Sequence, residues 1–257
     1  MDLDLKNKTA LVCGASQGLG LAIAEALARE GCKVGLLARN AAKLDAHVKA
    51  FAAEGMNAMA LPADMFDWPQ LRMALDSFGM PDILVNNSGG PPPVDVTEVN
   101  PDLWRRQFEA MVLNQMRLSE AVLPAMRAKG FGRILSVAST SIVEPFASLA
   151  VSNSLRAALA GWMKTLAGQV ARDGVTVNML LPGSFATERI ASLNAREAEV
   201  RGITLQQVVD DSSAEIPVGR YGKPPEFAAV AAFLASPKAS YLTGQMIRID
   251  GGATKSL

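Results

Sequence analysis

The sequence has no excess of charge of either sign and no long hydrophobic run. Its 257 residues include 25 basic and 25 acidic side chains, and no Lys/Arg-rich segment stands out. This balance gives no support to a nucleic-acid-binding or anionic-membrane surface. No apolar stretch approaches the roughly 20 residues that a membrane-spanning helix needs. We therefore expect neither nucleic acid nor membrane among the partners of this protein.

Cysteines are few, and the N-terminal segment does not resemble an export signal. The segment MDLDLKNK is polar and lacks the basic and then apolar order of a signal peptide. Disulfides are rare in proteins that are not exported. The two cysteines, Cys13 and Cys32, are therefore predicted to be buried thiols, and a cytoplasmic location is expected.

Histidine and clustered metal ligands are nearly absent as well. His47 is the only histidine, and no group of His, Cys, Asp and Glu has the spacing of a metal site. No metal is therefore predicted. His47 falls on the second predicted helix, where we expect it to lie away from the ligand crevice in a surface or helix-packing role.

Short apolar segments alternate with longer amphipathic segments along the chain. Short apolar runs are typical of strands buried on both faces of a parallel sheet. Strict alternation with helices predicts an α/β fold: a Rossmann-like, doubly wound parallel sheet of seven strands in three α/β/α layers. The predicted strands are 9–13, 33–38, 57–61, 83–86, 132–138, 175–181 and 246–249, and the predicted helices are 19–30, 41–54, 68–78, 102–129, 149–172 and 225–235.

No linker or internal repeat divides the chain, so residues 1–257 are predicted to form a single domain. Residues 184–217 are the least regular part of the sequence and follow the end of a predicted strand. Ligand crevices of such sheets lie at the carboxyl ends of the strands. The segment 184–217 is therefore a candidate substrate lid.

A glycine-rich segment follows the first predicted strand and leads into the first predicted helix. It reads Gly14-Ala-Ser-Gln-Gly18-Leu-Gly20. A tight strand-to-helix turn needs backbone freedom, and a pyrophosphate must approach bare amides at a helix N-terminus. A glycine turn without a ligand is the alternative, but the position between strand and helix favours a phosphate-binding turn.

The spacing G-x-x-x-G-x-G resembles that of the short-chain dehydrogenase/reductase family, and further segments resemble the family in the same order. These are Asp64 after the third strand, the Asn86-Asn87-Ser88-Gly89 turn, Asn114 in the fourth helix, Pro182-Gly183 followed by Thr187, and the C-terminal segment 243–252. Among family members, the β-ketoacyl carrier-protein reductase is similar across the chain. The resemblance implies a nicotinamide dinucleotide cofactor and an oxidoreductase activity.

The resemblance also implies which residues bind the cofactor. Thirteen positions match, in the glycine turn, after the third and fourth strands and after the sixth strand: Gly14, Ser16, Gln17, Gly18, Leu19, Gly20, Asp64, Met65, Asn87, Gly89, Pro182, Gly183 and Thr187.

The end of the second strand indicates which dinucleotide is bound. An NAD site normally offers an acidic side chain there, whereas an Arg can pair with the 2′-phosphate of NADP. The acidic position is Ala38 here, and Arg39 follows it. A guanidinium matches a phosphate bidentately. NADP(H) is therefore predicted over NAD(H), with a solvent-exposed Arg39 as the alternative.

The catalytic segment departs from the family pattern. The family uses a Ser after the fifth strand, a Tyr as general acid or base, and a Lys four residues later that bonds the nicotinamide ribose. Ser139 matches the Ser, but Ser152 stands at the Tyr position and Arg156 at the Lys position. The predicted catalytic residues are thus Asn114, Ser139, Ser152 and Arg156, and Arg156 is also predicted to bind the ribose.

Two hypotheses of function follow. The first is an atypical NADP(H)-dependent oxidoreductase that acts on a carbonyl/alcohol pair. The second is a catalytically silent NADP(H)-binding protein, serving as a sensor or oligomer partner, which the missing Tyr and Lys would explain. The family pairs the helices predicted at 102–129 and 149–172 between subunits, so the resemblance implies a homotetramer or a homodimer.

Overall fold

The computed structural model describes residues 1–256, and one parallel sheet runs through them. Its strands are β1 (Thr9–Cys13), β2 (Lys33–Ala38), β3 (Asn57–Pro62), β4 (Ile83–Asn86), β5 (Gly132–Val137), β6 (Val175–Pro182) and β7 (Met246–Ile249). They lie in the order β3-β2-β1-β4-β5-β6-β7. The predicted seven-stranded doubly wound sheet is confirmed, and each predicted strand lies within one residue of its observed bounds.

Helices connect the strands and cover both faces of the sheet. The α-helices are α1 (Gly18–Arg29), α2 (Ala41–Ala53), α3 (Trp68–Phe78), α4 (Pro101–Phe108), α5 (Asn114–Lys129), α6 (Ala150–Val170), α7 (Glu188–Arg201), α8 (Leu205–Ala214) and α9 (Pro224–Ala235). Within residues 1–256, no helix is both long enough and apolar enough to cross a membrane.

The core consists of two apolar layers, one on each face of the sheet. On one face, side chains of α1 and α9 such as Ile23 and Phe227 pack against the strands. On the other face, α3, α5 and α6 contribute Leu75, Leu118 and Leu159. Since these side chains are almost fully buried, the three-layer arrangement holds the strand ends in fixed positions.

The prediction of one continuous helix at 102–129 needs correction. The single helix predicted at 102–129 is interrupted by a π-helical segment, Glu109–Leu113, between α4 and α5. Such segments add one residue to a helical turn and are frequent at functional sites. No residue preference in the segment signals this interruption, so sequence periodicity did not reveal it.

The candidate lid, residues 184–217, is more regular than predicted. It contains α7 and α8, whose N-termini are capped by the hydroxyls of Thr187 and Thr204. The prediction of an irregular segment is wrong because these helices bury few apolar side chains, chiefly Ala198 and Val208. An apolar stripe this sparse leaves little periodicity in the sequence.

Both cysteines are free and buried, as predicted. Burial raises the pKa of the Cys13 thiol and of the Cys32 thiol to about 12. Both groups therefore stay protonated and poorly nucleophilic at neutral pH.

The strand order reverses between β1 and β4, and this defines the crevice. The chain builds β1, β2 and β3 toward one edge, then returns to place β4 against β1 and continues toward the other edge. The connections that follow β1 and β4 consequently lead toward opposite edges of the sheet and leave a crevice between them. Ligands of doubly wound sheets bind outside the carboxyl ends of the strands at this switch point.

Asp82 ties β1 to the end of α5 just before β4 begins. Its carboxylate accepts hydrogen bonds from the Thr9 N–H at 2.9 Å, the Thr9 hydroxyl at 3.0 Å and Lys129 Nζ at 2.7 Å. Burial alone would raise the pKa of Asp82, but these donors outweigh it and hold the pKa below its usual value. The ionised carboxylate therefore stabilises the folded state.

We expect Asp82→Asn to lower the free energy of unfolding at pH 7 by about 1–3 kcal/mol, because it weakens a charge-assisted network. The contribution is fully present above the unfolded pKa of about 4 and is lost as the pH falls through the lowered folded pKa. The difference from the natural chain, measured by urea unfolding, should thus shrink below pH 4. Asp76→Asn, which removes an exposed ion pair with Arg72, is the control and should change stability by less than about 0.5 kcal/mol. Equal losses for the two variants would contradict this role of Asp82.

Candidate active site

The glycine turn after β1 packs directly against the turn after β4. Gly14 and Gly18 have φ values of 63° and 60°, the left-handed region that favours glycine. A Cβ at Gly20 would lie 2.3 Å from the Gly14 carbonyl oxygen, and a Cβ at Gly14 would lie 2.6 Å from Asn87 Nδ2. Two of the predicted cofactor-binding positions, Gly14 and Gly20, are therefore brought together with Asn87, and neither has room for a side chain.

The N-terminus of α1 is open toward this turn. Its N-cap residue, Gln17, has an extended backbone, and no side chain caps the helix. The first amides of the helix are thus available to an anion, and the helix dipole favours negative charge there. This is the arrangement that a dinucleotide pyrophosphate requires.

The second helix also contributes to the turn, contrary to the prediction for His47. His47 Nε2 donates a hydrogen bond to the Ser16 carbonyl at 3.0 Å, so His47 supports the crevice instead of lying away from it. Lys43, one turn earlier, lies 3.0 Å from Gln17 Oε1 and 3.6 Å from Glu188 Oε2. Lys43 and His47 are four residues apart on α2, so the sequence indicates that they share a helix face. The spacing does not reveal which part of the protein this face contacts.

Arg39 and Asp64 border the other end of the crevice. Arg39 is exposed at the end of β2. No carboxylate of residues 1–256 lies within ion-pair distance of its guanidinium, so the side chain can take an anion from outside. Asp64 follows β3 and accepts a hydrogen bond from the Phe66 N–H through Oδ1 at 3.1 Å. The second carboxylate oxygen of Asp64 remains available to a donor.

The side chain of Asn114 is engaged by the protein itself. It is fully buried, and its Nδ2 donates to the Met65 carbonyl at 2.8 Å. Its Oδ1 accepts from Arg117 Nη1 at 3.1 Å. Asn114 therefore fixes Met65, itself a predicted cofactor-binding residue, and begins α5 directly after the π-helical segment.

Ser152 and Arg156 lie one turn apart on α6 and are joined by a hydrogen bond. Arg156 Nε donates to Ser152 Oγ at 3.1 Å, and Arg156 Nη1 donates to the Val137 carbonyl at 2.9 Å. Both residues are buried. The guanidinium thus joins α6 to the end of β5, two residues before Ser139.

Ser139 caps the short 3₁₀ helix Thr140–Ile142 that follows β5. Its Oγ accepts from the Ser141 N–H at 3.1 Å, and the residue is half-buried. That bond uses an acceptor lone pair, so the hydroxyl hydrogen of Ser139 is free to point elsewhere.

The charge of Arg156 dominates the electrostatics of this end of the sheet. Burial, with a smaller contribution from the positive charge of Arg189, lowers the pKa of Arg156 to about 10. The guanidinium is still protonated at neutral pH. A cation is therefore held beside the hydroxyl of Ser152 and the end of β5, two residues before Ser139.

The loop after β6 closes the crevice from the opposite side. Gly183 donates its N–H to the Ile249 carbonyl at 3.0 Å, and a Cβ there would lie 2.7 Å from Asp250 Cβ. The methyl group of Thr187 lies 3.6 Å from the position of a Cβ on Gly18. Pro182 ends β6, and Gly89 is exposed beyond β4. The predicted positions after β6 are therefore adjacent to those after β1.

Comparison with known proteins identifies the family. A family model described as Enoyl-(Acyl carrier protein) reductase matches residues 14–254, nearly the whole chain. The chain belongs to the short-chain dehydrogenase/reductase family. The 3-oxoacyl-[acyl-carrier-protein] reductase FabG of Vibrio cholerae serotype O1 is 36% identical over 252 residues, which cover 97% of this chain and 98% of that protein.

Solved structures of family members have the same fold over their whole length. L-sorbose reductase from Gluconobacter frateurii, complexed with NADPH and L-sorbose, is 31% identical, covers 100% of both chains and has a TM-score of 0.95. YwfH, an NADPH-dependent reductase involved in bacilysin biosynthesis, is 31% identical with a TM-score of 0.92, over 98% of this chain and 100% of that one.

The family's Tyr-x-x-x-Lys motif does not occur in this chain. Its two tyrosines, Tyr221 and Tyr241, are followed four residues later by Pro225 and Gln245. Tyr221 accepts a hydrogen bond from Asn194 Nδ2 of α7 at 3.0 Å, and Tyr241 is fully exposed. Neither phenol is joined to Ser152 or Arg156 by a hydrogen bond within residues 1–256.

We expect Gly20→Ala to abolish dinucleotide binding, because the added methyl group would overlap the Gly14 carbonyl and push the turn away from Asn87. Gly168→Ala at an exposed position of α6, where a Cβ meets nothing within 4 Å, is the matched control. It should leave binding unchanged and raise stability by about 0.5–1 kcal/mol. Fluorescence titration with a reduced dinucleotide checks both, and tight binding by Gly20→Ala would show that the turn is not the phosphate site.

Proposed function

We propose that this protein is an NADP(H)-dependent oxidoreductase that acts on a carbonyl/alcohol pair. In this proposal residues 1–257 form a single dinucleotide-binding domain, and residues 184–217 form the substrate lid. The open N-terminus of α1 and the glycine turn support a bound pyrophosphate. The NADPH complex of the related L-sorbose reductase and the NADPH dependence of YwfH support the choice of nicotinamide cofactor.

The preference for NADP(H) over NAD(H) rests on Arg39. The acidic side chain that would bond both ribose hydroxyls is missing, since the position before Arg39 is Ala38. Arg39 is exposed and has no carboxylate partner among the described residues, so a 2′-phosphate would meet an unshared guanidinium. The other proposed cofactor residues are those that the family resemblance implies.

We expect Arg39→Ala to raise the Kd for NADPH about tenfold to a hundredfold and to leave the Kd for NADH nearly unchanged. The loss corresponds to one charge-assisted phosphate contact. Lys49→Ala, an exposed charge on α2, serves as the control for a general loss of positive potential. Calorimetric titration with both dinucleotides measures the two Kd values. An equal loss of affinity for NADH in Arg39→Ala would argue against a 2′-phosphate site.

The hydrogen bond between Arg156 and Ser152 carries the proposal for the chemistry. We infer that Ser152 and Arg156 stand where the family has Tyr and Lys. The family's Lys lowers the pKa of the Tyr beside it, and here a guanidinium donates to the Ser152 oxygen in a comparable way. Because Ser152 Oγ accepts that bond, its own hydrogen is free to be donated to a substrate oxygen.

When bound, the nicotinamide supplies or accepts the hydride, which is the chemistry of the cofactor and not of the protein. The chain would hold the substrate oxygen with the Ser139 and Ser152 hydroxyls. The cation of Arg156 would stabilise negative charge that develops there, in a site from which most water is excluded. Asn114 acts in this scheme as a positioning residue for Met65.

NADPH consumption against a broad carbonyl panel tests this function. We expect the natural chain to turn over at least one carbonyl class and Ser152→Ala to lower kcat about 10²–10⁴-fold, the usual effect of removing a general acid. Ser154→Ala, an exposed serine on the same helix, is the matched control and should keep full activity.

The double variant Ser152→Tyr/Arg156→Lys separates the two hypotheses. If the natural chain is silent with every carbonyl and the double variant reduces them, the protein is a catalytically silent NADP(H)-binding sensor or oligomer partner. Turnover by the natural chain, lost in Ser152→Ala, supports a reductase with a substitute proton donor.

A homotetramer or homodimer is part of the same proposal. Exposed apolar side chains lie at the end of α4 and before α6, at Phe108 and Phe146. An interface formed by the helices α4 to α6 would bury them, as the family resemblance implies. Light scattering on the purified protein measures the mass directly.

A further inference from the structure

A buried positive charge at the end of β5 has no anion to balance it. Arg156 is 9% exposed, and no carboxylate of residues 1–256 lies within 4.0 Å of its guanidinium. Two of its five N–H donors are used, one on Ser152 and one on Val137. Burying an unpaired charge is unfavourable, and buried charges are normally paired. Three N–H donors of the buried Arg156 guanidinium are therefore available to an anionic group.

A second arginine reaches the same end of the sheet from the lid. Arg189 lies in the first turn of α7, and its Nη2 donates to the Pro91 carbonyl at 3.2 Å. A Cβ on Gly90 would lie 3.4 Å from Arg189 Nη2, so the guanidinium lies over the segment that follows β4. Since β4 and β5 are adjacent strands, the guanidinium groups of Arg189 and Arg156 lie beyond neighbouring strand ends.

The acidic side chains near the crevice are engaged elsewhere. Glu188, next to Arg189 in the chain, lies 3.6 Å from Lys43 Nζ. Glu144, after β5, accepts hydrogen bonds from the N–H groups of Lys255 and Ser256 at 2.8 Å. Neither Glu is within ion-pair distance of Arg156 or Arg189. The protein thus brings two cations together and provides no anion between them from the residues that the structure describes.

We propose that the substrate itself supplies this anion, as a carboxylate held by Arg189 and Arg156 next to the reacting carbonyl. This inference rests on the proposed function and names its substrate class: small oxo acids and hydroxy acids. A guanidinium matches a carboxylate bidentately, and the three unused N–H groups of Arg156 are sufficient for one such contact. In this arrangement Arg189 of α7 would contact the carboxylate from the opposite side to Arg156.

Two other sources of an anion are less consistent with the depth of the site. The cofactor pyrophosphate has its own cradle at the N-terminus of α1, across the crevice from Arg156. If the substrate is attached to a carrier protein through an arm that contains a phosphate, the length of the arm separates this phosphate from the reacting carbonyl. Arg156, in contrast, is buried beside Ser152 and lies close to the end of β5, near Ser139. A carboxylate on the reacting molecule itself can contact Arg156 while the carbonyl lies beside Ser152 and Ser139.

Paired substrates test the inference through NADPH oxidation. Pyruvate, acetoacetate and levulinate are each compared with the methyl ester, which keeps the carbonyl and removes the charge. We expect kcat/KM to be at least about tenfold higher for the acids than for the esters.

Variants of Arg189 test its part in binding the acids. Arg189→Gln should raise KM for the acids about tenfold to a hundredfold and leave KM for the esters and the Kd for NADPH unchanged, while Arg189→Lys should recover part of the loss. Arg196→Gln, exposed on the same helix, should behave like the natural chain.

Three outcomes would overturn the inference. The first is equal use of acids and esters, and the second is an Arg189→Gln variant that retains its affinity for the acids. The third is a loss of NADPH affinity as large as the loss of acid affinity, which would assign Arg189 to the cofactor phosphates.

Calorimetry separates this inference from the proposed function. If no carbonyl is turned over, the NADP⁺-saturated protein is titrated with the same three acids. Binding that Arg189→Gln weakens supports the anion site even though the proposed reduction has failed. An absence of acid binding overturns the anion site itself.

Discussion

The turn after β1 and the turn after β4 touch with no room for a side chain, and the position of the crevice depends on that contact. Gly14 and Gly20 lie against each other and against Asn87, and a Cβ at Gly14 or Gly20 would overlap backbone or amide atoms. The close approach opens the N-terminus of α1 toward the end of β4. Because β1 and β4 are also where the strand order reverses, the contact places the uncapped N-terminus of α1 at the switch point where doubly wound sheets bind ligands.

The charge distribution explains how an electrically balanced chain can make a selective site. Its 25 basic and 25 acidic residues cancel overall, and many of them form exposed ion pairs on helix surfaces. Such pairs contribute little to stability. Arg39, Arg156 and Arg189 differ because no carboxylate of the described residues pairs with them. These three arginines therefore place positive charge at the crevice, where they are proposed to meet anionic parts of cofactor and substrate.

The chain has no Tyr-x-x-x-Lys segment, but two buried polar side chains are joined by a hydrogen bond on α6. Ser152 and Arg156 keep the one-turn spacing that a Tyr and a Lys would have, and their side chains bond to each other and to the end of β5. A random pair of polar residues at these positions would be poorly tolerated when buried. The hydrogen bond between Ser152 and Arg156 gives each of these buried side chains a polar partner.

Much of the fold and part of the site could be predicted from residue order. Strand bounds followed from short apolar runs, and the glycine turn followed from its place between β1 and α1. The helices α7 and α8 were not predicted because they bury few apolar side chains, and His47 was expected to lie away from the crevice because helical spacing does not say what a face touches. Periodicity thus reports which residues share a face, but not the partner of that face.

The sequence by itself determined the α/β architecture, the glycine turn between β1 and α1 and the absence of Tyr-x-x-x-Lys, since these depend on local pattern and residue identity. Only the tertiary structure decided that Asn114 holds Met65, that His47 supports the turn and that Arg156 bonds Ser152 while Arg189 of α7 bonds Pro91. These pairings join residues from separate elements, or depend on the direction and burial of long side chains. Packing of the three layers sets such contacts, and no spacing along the chain encodes them.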